Sequence, residues 1–209
     1  MFSSFVCYTR RMTYTAKKFD LPALQGLSPK QIEVHLALYE GYVKHVNLIM
    51  DMIQQYSKTE DEGGKFAVKE LRRRLSFEFD GMRMHEYYFD QFVGGPTGAD
   101  PEGALHKAIG EKYGDWDGFI AHIKEVAGTR GIGWVVTYFD APGSTIHTAW
   151  VGDHELGQLA GLPILLAVDL WEHAYMVDYL PKDKLNYVDA FLSNVNWTVV
   201  DDRMQKALV

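Results

Sequence analysis

Apolar residues return at alternating intervals of four and three along the first third of the chain: Ile32, Leu36, Tyr39, Val43, Val46, Met50 and Ile53. With 3.6 residues per turn, positions three and four apart share one face, so this rhythm predicts a long amphipathic helix. Ser28-Pro29-Lys30-Gln31 supplies its start. Ser is at the N-cap, Pro at the first helical position, and Gln31 stands where it completes a capping box. The helix is expected to end near residues 55–58, before the polar, glycine-containing turn TEDEGG. A second stripe follows, with Leu71, Leu75, Phe79, Met82, His85 and Phe89 on one face. Two such helices joined by a short polar turn bury their stripes by folding back on each other, so residues 13–93 read as an N-terminal helical hairpin domain.

Residues 93–101 (VGGPTGADP) are dense in Gly and Pro and read as a boundary. Helices are expected at 102–110 and 116–127. The pattern then changes to β-branched and aromatic runs at 133–139, 144–151 and 164–170. The turn at 140–143, Asp-Ala-Pro-Gly, makes the first two an antiparallel hairpin. Helices are expected again at 171–179 and from 185 to the end. The fold class is α+β: the hairpin, then a C-terminal domain, 99–209, with a small three-stranded antiparallel sheet and flanking helices.

Composition narrows the chemistry by exclusion. The one cysteine, Cys7, rules out an intrachain disulfide and a thiolate metal cluster, so any metal must use His and carboxylate. A net charge of −7 gives no basic footprint for nucleic acid. The longest apolar run, 162–168, is strand-sized, far short of the ~20 residues of a membrane span. Residues 1–12 contain Ser, aromatics and Arg but no acid, and read as a disordered extension ahead of a start at Met12. On that reading the protein is cytoplasmic. The alternative is a targeting segment for an organelle such as the mitochondrion.

Among the eight histidines, His45, His106, His122 and His147 lie in polar or alternating surroundings, and surface or capping roles suffice for them. His173 follows Asp169 by four residues, the Asp ending an apolar strand and the His on the next turn. A buried carboxylate is costly unless paired or metal-bound, and Asp with His suits iron, manganese or zinc. Alone, the pair reads as an Asp helix cap and an ordinary core histidine. His35 lies beside the first apolar stripe and His85 within the second, and each alone is an ordinary core histidine. Together they set two imidazoles on facing sides of the hairpin, with Asp169 and His173 available from the second domain. A ferritin-like di-iron bundle is excluded, because no His has a Glu three residues before it. HExxH and GxSxG are absent too.

The segment Asp169-Leu170-Trp171-Glu172-His173-Ala174-Tyr175 resembles the D-x-W-E-H-A-Y signature of the iron/manganese superoxide dismutase family. Phe19-Asp20-Leu21-Pro22-Ala23-Leu24, Ile32-Glu33-Val34-His35, His85-Glu86-Tyr87-Tyr88-Phe89, Gly94-Gly95-Pro96, Gly131-Ile132-Gly133-Trp134 and Asn196-Trp197 also fall in the family's order. The resemblance covers 13–207. It implies one iron or manganese ion per chain with His35, His85, Asp169 and His173 as ligands, superoxide as substrate, and a homodimer or homotetramer.

The resemblance also marks departures. Iron-type members carry a Gln four residues before the second ligand, where this chain has Gly81; manganese-type members place a Gln at a strand end, where it has His154. His154 is therefore expected to hydrogen-bond solvent on the metal. The family's gateway Tyr follows the first ligand by eight residues, on a helix with a π-bulge. Tyr42 follows by seven, which reaches the same face if the helix is regular. Tyr39 stands where the family has a His, and Met176 replaces its Tyr partner across the dimer. Glu172 is expected to pair with His173 of the other subunit, and Trp134, Trp171 and Tyr175 to form an apolar wall. The family's substrate-steering Arg is replaced by Lys182 and Lys184, which read equally as solvated lysines. The run Arg72-Arg73-Arg74 reads as an exposed helix face. Two other readings keep the fold: a mononuclear iron oxygenase, which leaves more than one coordination position open, and a non-catalytic metal-stabilised scaffold.

Overall fold

In the computed structural model, which describes residues 13–209, Ser28 Oγ accepts the Gln31 N–H at 3.0 Å and opens α1 (Pro29–Tyr56). The extension read at 1–12 lies outside the described residues. Asp61 opens α2 (Glu62–Asp90) in the same way, accepting from Gly64 N–H at 2.8 Å. The side chains α1 buries are Gln31, His35, Tyr39, Val43, Val46 and Ile49. The expected stripe holds from Tyr39 to Val46, but in the first two turns Gln31 and His35 are enclosed while Ile32 and Leu36 are half-buried. Enclosed polar groups cost free energy unless bonded, so both need partners from elsewhere.

Gln31 explains why the helix expected at 171–179 is not there. Its Nε2–H donates to the His173 carbonyl at 2.6 Å, and its Oε1 accepts from Val177 N–H at 3.0 Å. In a helix, Val177 N–H and His173 C=O would bond each other. The glutamine amide inserts between them, so the segment forms a 3₁₀ turn, Glu172–Ala174, and isolated i→i−4 turns (Met176 N–H to the Glu172 carbonyl, 2.9 Å; Tyr179 N–H to the Tyr175 carbonyl, 2.8 Å) rather than a continuous helix. The capping box is accordingly half-formed: the Ser28 N–H donates to Asp178 Oδ2 at 2.6 Å rather than to Gln31.

The remaining elements follow the sequence closely. They are α3 (Ala104–Tyr113), α4 (Trp116–Ala127), β1 (Gly133–Asp140), β2 (Thr145–Gly152) and β3 (Ile164–Asp169). The sheet order is β2-β1-β3, antiparallel throughout, and Trp134 pairs with Val151 on one side and Asp169 on the other. β1 and β3 are buried almost along their whole length. The single helix expected from residue 185 is two, α5 (Lys184–Asn194) and α6 (Trp197–Ala207). Asn196 ends the first by donating its N–H to the Gln91 carbonyl at 2.7 Å, and starts the second by accepting from Thr198 N–H at 3.1 Å. No helix among the described residues is long and apolar enough to cross a membrane.

β3 lies at the edge of the sheet, and Gln91 finishes that edge. Its Nε2–H donates to Ala167 C=O at 2.7 Å and its Oε1 accepts Ala167 N–H at 3.1 Å, as a neighbouring strand would. Arg203 from α6 adds bonds to Gln91 Oε1 (3.3 Å), Leu165 O (2.9 Å) and Tyr87 O (3.1 Å). Gln91→Leu fills similar space but leaves both Ala167 backbone groups buried and unpaired. We expect it to cost about 2–4 kcal/mol in urea denaturation. A loss within error of zero would show that the clamp contributes nothing.

Candidate metal centre

Asp169 Oδ2 is the point on which four elements converge. His35 Nε2 from α1 lies 3.0 Å from it, His173 Nε2 from the 3₁₀ turn 3.3 Å, and His85 Nε2 from α2 3.5 Å. One donor atom from each of the four residues lies within 4.8 Å of all the others. His35, His85 and Asp169 are fully enclosed, while the His173 side chain keeps 16% exposure.

Each side chain is aimed by a separate bond. Asp169 Oδ1 accepts the Trp171 N–H at 2.8 Å, which turns Oδ2 inward, and the Asp169 carbonyl accepts from Tyr187 Oη at 2.7 Å. His85 Nδ1–H donates to the Gly81 carbonyl at 2.6 Å, one turn back on α2, so the lone pair is on Nε2 and faces the cluster. His35 Nδ1 is buried without a partner among the described residues, and its ring is held by packing on Tyr88 (4.7 Å) and Phe89 (4.9 Å).

Burial alone would push the Asp169 carboxyl up, but the His173 and His35 imidazoles outweigh it and hold it well below the usual carboxylate range. Burial also lowers His35 and His85, leaving both neutral. The cluster thus offers three imidazoles and a carboxylate. An ion with bonds of roughly 2 Å needs donors about 3–4 Å apart, and the observed separations suit it. A donor set of this kind fits iron, manganese or zinc.

Around the cluster, His154 is held on both ring nitrogens. Trp134 Nε1–H donates to Nδ1 at 3.0 Å, and Nε2 lies 2.8 Å from Tyr42 Oη. Burial lowers the His154 pKa to about 4, so the ring is neutral; with Nδ1 accepting, the proton sits on Nε2 and goes to Tyr42. Tyr42 therefore keeps its own hydroxyl proton for another acceptor. Burial, then the Asp169 charge, push its pKa well up. Its ring centroid is 5.1 Å from that of His85, a position reached because α1 is a regular α-helix throughout. Gly81 makes room: a Cβ there would sit 2.6 Å from the Tyr42 ring. The loop carrying His154 is tied down by Trp171 Nε1–H to the Asp153 carbonyl (3.1 Å) and by Gln158 Nε2–H to the His154 carbonyl (3.1 Å).

The other singled-out residues divide. Trp171 stacks on His154 (4.9 Å) and His173 (5.6 Å), Trp134 stands edge-on to His85 (5.2 Å), and Tyr175 packs on Tyr187 (5.3 Å). Tyr39 is enclosed, accepts from Lys17 N–H at 2.8 Å, and donates to Glu86 Oε1 at 3.2 Å; burial raises its pKa to about 12. Glu172 and Met176 are exposed. Lys184 donates to the Thr129 carbonyl at 2.8 Å, while Lys182 is exposed. His45, His122 and His147 lie against Glu78, Glu125 and Asp140, and His106 stacks on Trp116. The sequence reading passes over Phe77, whose ring is 4.7 Å from His154, because it falls between the stripe positions Leu75 and Phe79. It also passes over Gln158, which no motif marks.

Two outcomes follow. Gly81→Ala, normally favourable in a helix by ~1 kcal/mol, should instead cost roughly 1–3 kcal/mol in denaturation because Tyr42 must move. A stabilised variant would contradict the close packing. Second, a His154 pKa of about 4 in the folded chain against 6.5 in the unfolded one means that the unfolded chain binds the extra proton. Stability of the metal-free protein should therefore fall as pH drops from 6.5 towards 4. His154 contributes about 3 kcal/mol of that loss, and His35 and His85 act in the same direction. Urea titrations at several pH values should show a shallower decline in His154→Gln; an unchanged slope would refute a buried neutral His154.

Residues 101–203 match the family model for the iron/manganese superoxide dismutases, C-terminal domain. A superoxide dismutase [Fe] of Saccharolobus solfataricus is 30% identical over 203 residues, covering 92% of this chain and 96% of that protein. A superoxide dismutase [Fe] of Aquifex pyrophilus is 34% identical over 189 residues (88% and 87%), and a superoxide dismutase [Mn] of Mycolicibacterium smegmatis 33% over 193 (90% and 90%). These likenesses span the helical hairpin as well as the sheet, and the chain belongs to the iron/manganese superoxide dismutase family.

Proposed function

We propose that the protein dismutates superoxide, using one iron or manganese ion held by His35, His85, Asp169 and His173 between segments 13–93 and 99–209. The observation that carries this reading is the set of three imidazole nitrogens 3.0–3.5 Å from one carboxylate oxygen. Relatives named for iron and for manganese match comparably, which supports either metal. A bound iron or manganese ion supplies one-electron exchange, by which two superoxide anions and two protons become dioxygen and hydrogen peroxide.

The chain's own groups supply the rest. Asp169 contributes the one negative charge of the donor set, which favours a cation and tempers its charge. Tyr42 Oη accepts from His154 and holds its own proton. A hydroxyl whose pKa is raised releases that proton only to a strongly basic oxygen, which peroxide is and superoxide is not. His154 Nε2–H stands next in line behind it at 2.8 Å, and Trp134 fixes that tautomer. Trp134, Trp171 and Tyr175 limit water around the cluster. The face bearing Glu172, with Met176 and Val177 at 46% and 49% exposure, is assigned to the contact between copies in a homodimer or homotetramer.

The test is to load the full chain separately with iron and manganese and follow superoxide consumption. At least one form should turn over superoxide, lose activity on chelation and regain it on reloading. Tyr42→Phe should keep its metal yet slow by roughly tenfold or more. If neither metal form consumes superoxide, the assignment fails.

A further inference from the structure

A chain with net charge −7 repels an anion at long range, so any attraction must be local. Lys184 is a poor source of it, committed to the Thr129 carbonyl and lying 5.7 Å over the Trp150 ring. Arg74 is placed differently. Its guanidinium lies 3.8 Å over the Phe77 ring. Phe77 in turn stands edge-on to His154 at 4.7 Å and lies 6.3 Å from both Tyr42 and Trp171. Arg74 Nε and Nη2 both bind Glu78 Oε1, at 2.9 and 2.8 Å.

That ion pair is lopsided. The Arg74 side chain is 51% exposed and the Glu78 side chain 6%, so the acid lies inside and the cation outside. The other Glu78 oxygen faces His45 Nδ1 at 3.5 Å. Glu78 and Asp153 oppose the attraction, and their charges reach Tyr42 as that of Arg74 does. The Arg74 charge is also felt at His154. Two contacts, the ring and the carboxylate, fix the guanidinium in place. An apolar surface behind it leaves its field less screened than that of a freely solvated lysine.

We propose that Arg74 is the cation that draws the anionic substrate towards the side of the cluster where Phe77 packs on His154, Tyr42 and Trp171. For the identity of that anion as superoxide, the inference rests on the function proposed above. The bland alternative is a helix-surface pair at (i, i+4) spacing, worth only a few tenths of a kcal/mol to stability.

Salt separates the two. With the full chain loaded with iron, two readings are taken across ionic strength. One is kcat/KM for superoxide; the other is the affinity for azide, a monovalent anion, from the optical band it gives with ferric ion. Arg74→Gln should lower both by about three- to tenfold at low salt, with the difference closing as salt screens the field. Arg74→Glu should lower them further and make both rise with salt, while Arg74→Lys should restore most of the parent behaviour. The proposal is overturned if the Gln and Glu variants match the parent at low salt. It is equally overturned if their deficit persists unchanged at high salt, as a structural effect would. A parent that binds azide as expected but consumes no superoxide would sink the substrate assignment and leave the role of Arg74 standing.

Discussion

A carboxylate enclosed at the end of an apolar strand is the constraint around which this chain is organised. Removing such a charge from water costs several kcal/mol unless its oxygens are met by donors or by a cation. Every acceptor of Asp169 is accounted for: Oδ1 by a backbone N–H two residues on, the carbonyl by Tyr187, and Oδ2 by the imidazoles of His35 and His173. His35 stands on α1, so the carboxylate is satisfied only when the hairpin and the sheet have docked, and the same docking brings the His85 Nε2 lone pair to the cluster. Docking and assembly of the site are one event.

Two glutamines make the docking specific by taking the place of backbone. Gln91 acts as the missing neighbour of the edge strand that ends in Asp169. Gln31 takes the hydrogen bond that would otherwise wind residues 173–177 into helix. One fixes the approach to Asp169 and the other the departure from His173. Between them they set the geometry of the five-residue segment that supplies half of the donor cluster.

Much of this was legible in the sequence because it is local. The stripes, the Ser28 cap, the Gly- and Pro-dense boundary and the β-branched runs reflect periodicity and turn chemistry, and the helices and strands fall where those signals put them. What could not be read is non-local. The first turns of α1 bury Gln31 and His35 rather than Ile32 and Leu36, because partners more than a hundred residues away need those polar groups. A helical pattern at 171–179 is overruled by a side chain from position 31, and the helix from 185 is broken where Asn196 reaches back to α2. Phe77 gains its place beside the cluster by packing on His154, which a loop more than seventy residues away delivers.

The departures from the family pattern around the cluster form one coupled change. An amide side chain can donate two protons, one to a tyrosine and one to a reacting oxygen. An imidazole whose Nδ1 is occupied by Trp134 donates one, and here it goes to Tyr42. The hydroxyl of Tyr42 is then the group left with a proton to offer. Its ring can lie where it does only if α1 is regular, so that seven residues return it to the face of His35, and only if position 81 has no side chain. A glutamine at 81 would collide with that ring. Gly81, Tyr42 and His154 therefore make sense together, and restoring the commoner residue at any one of them alone would leave the other two without their partner.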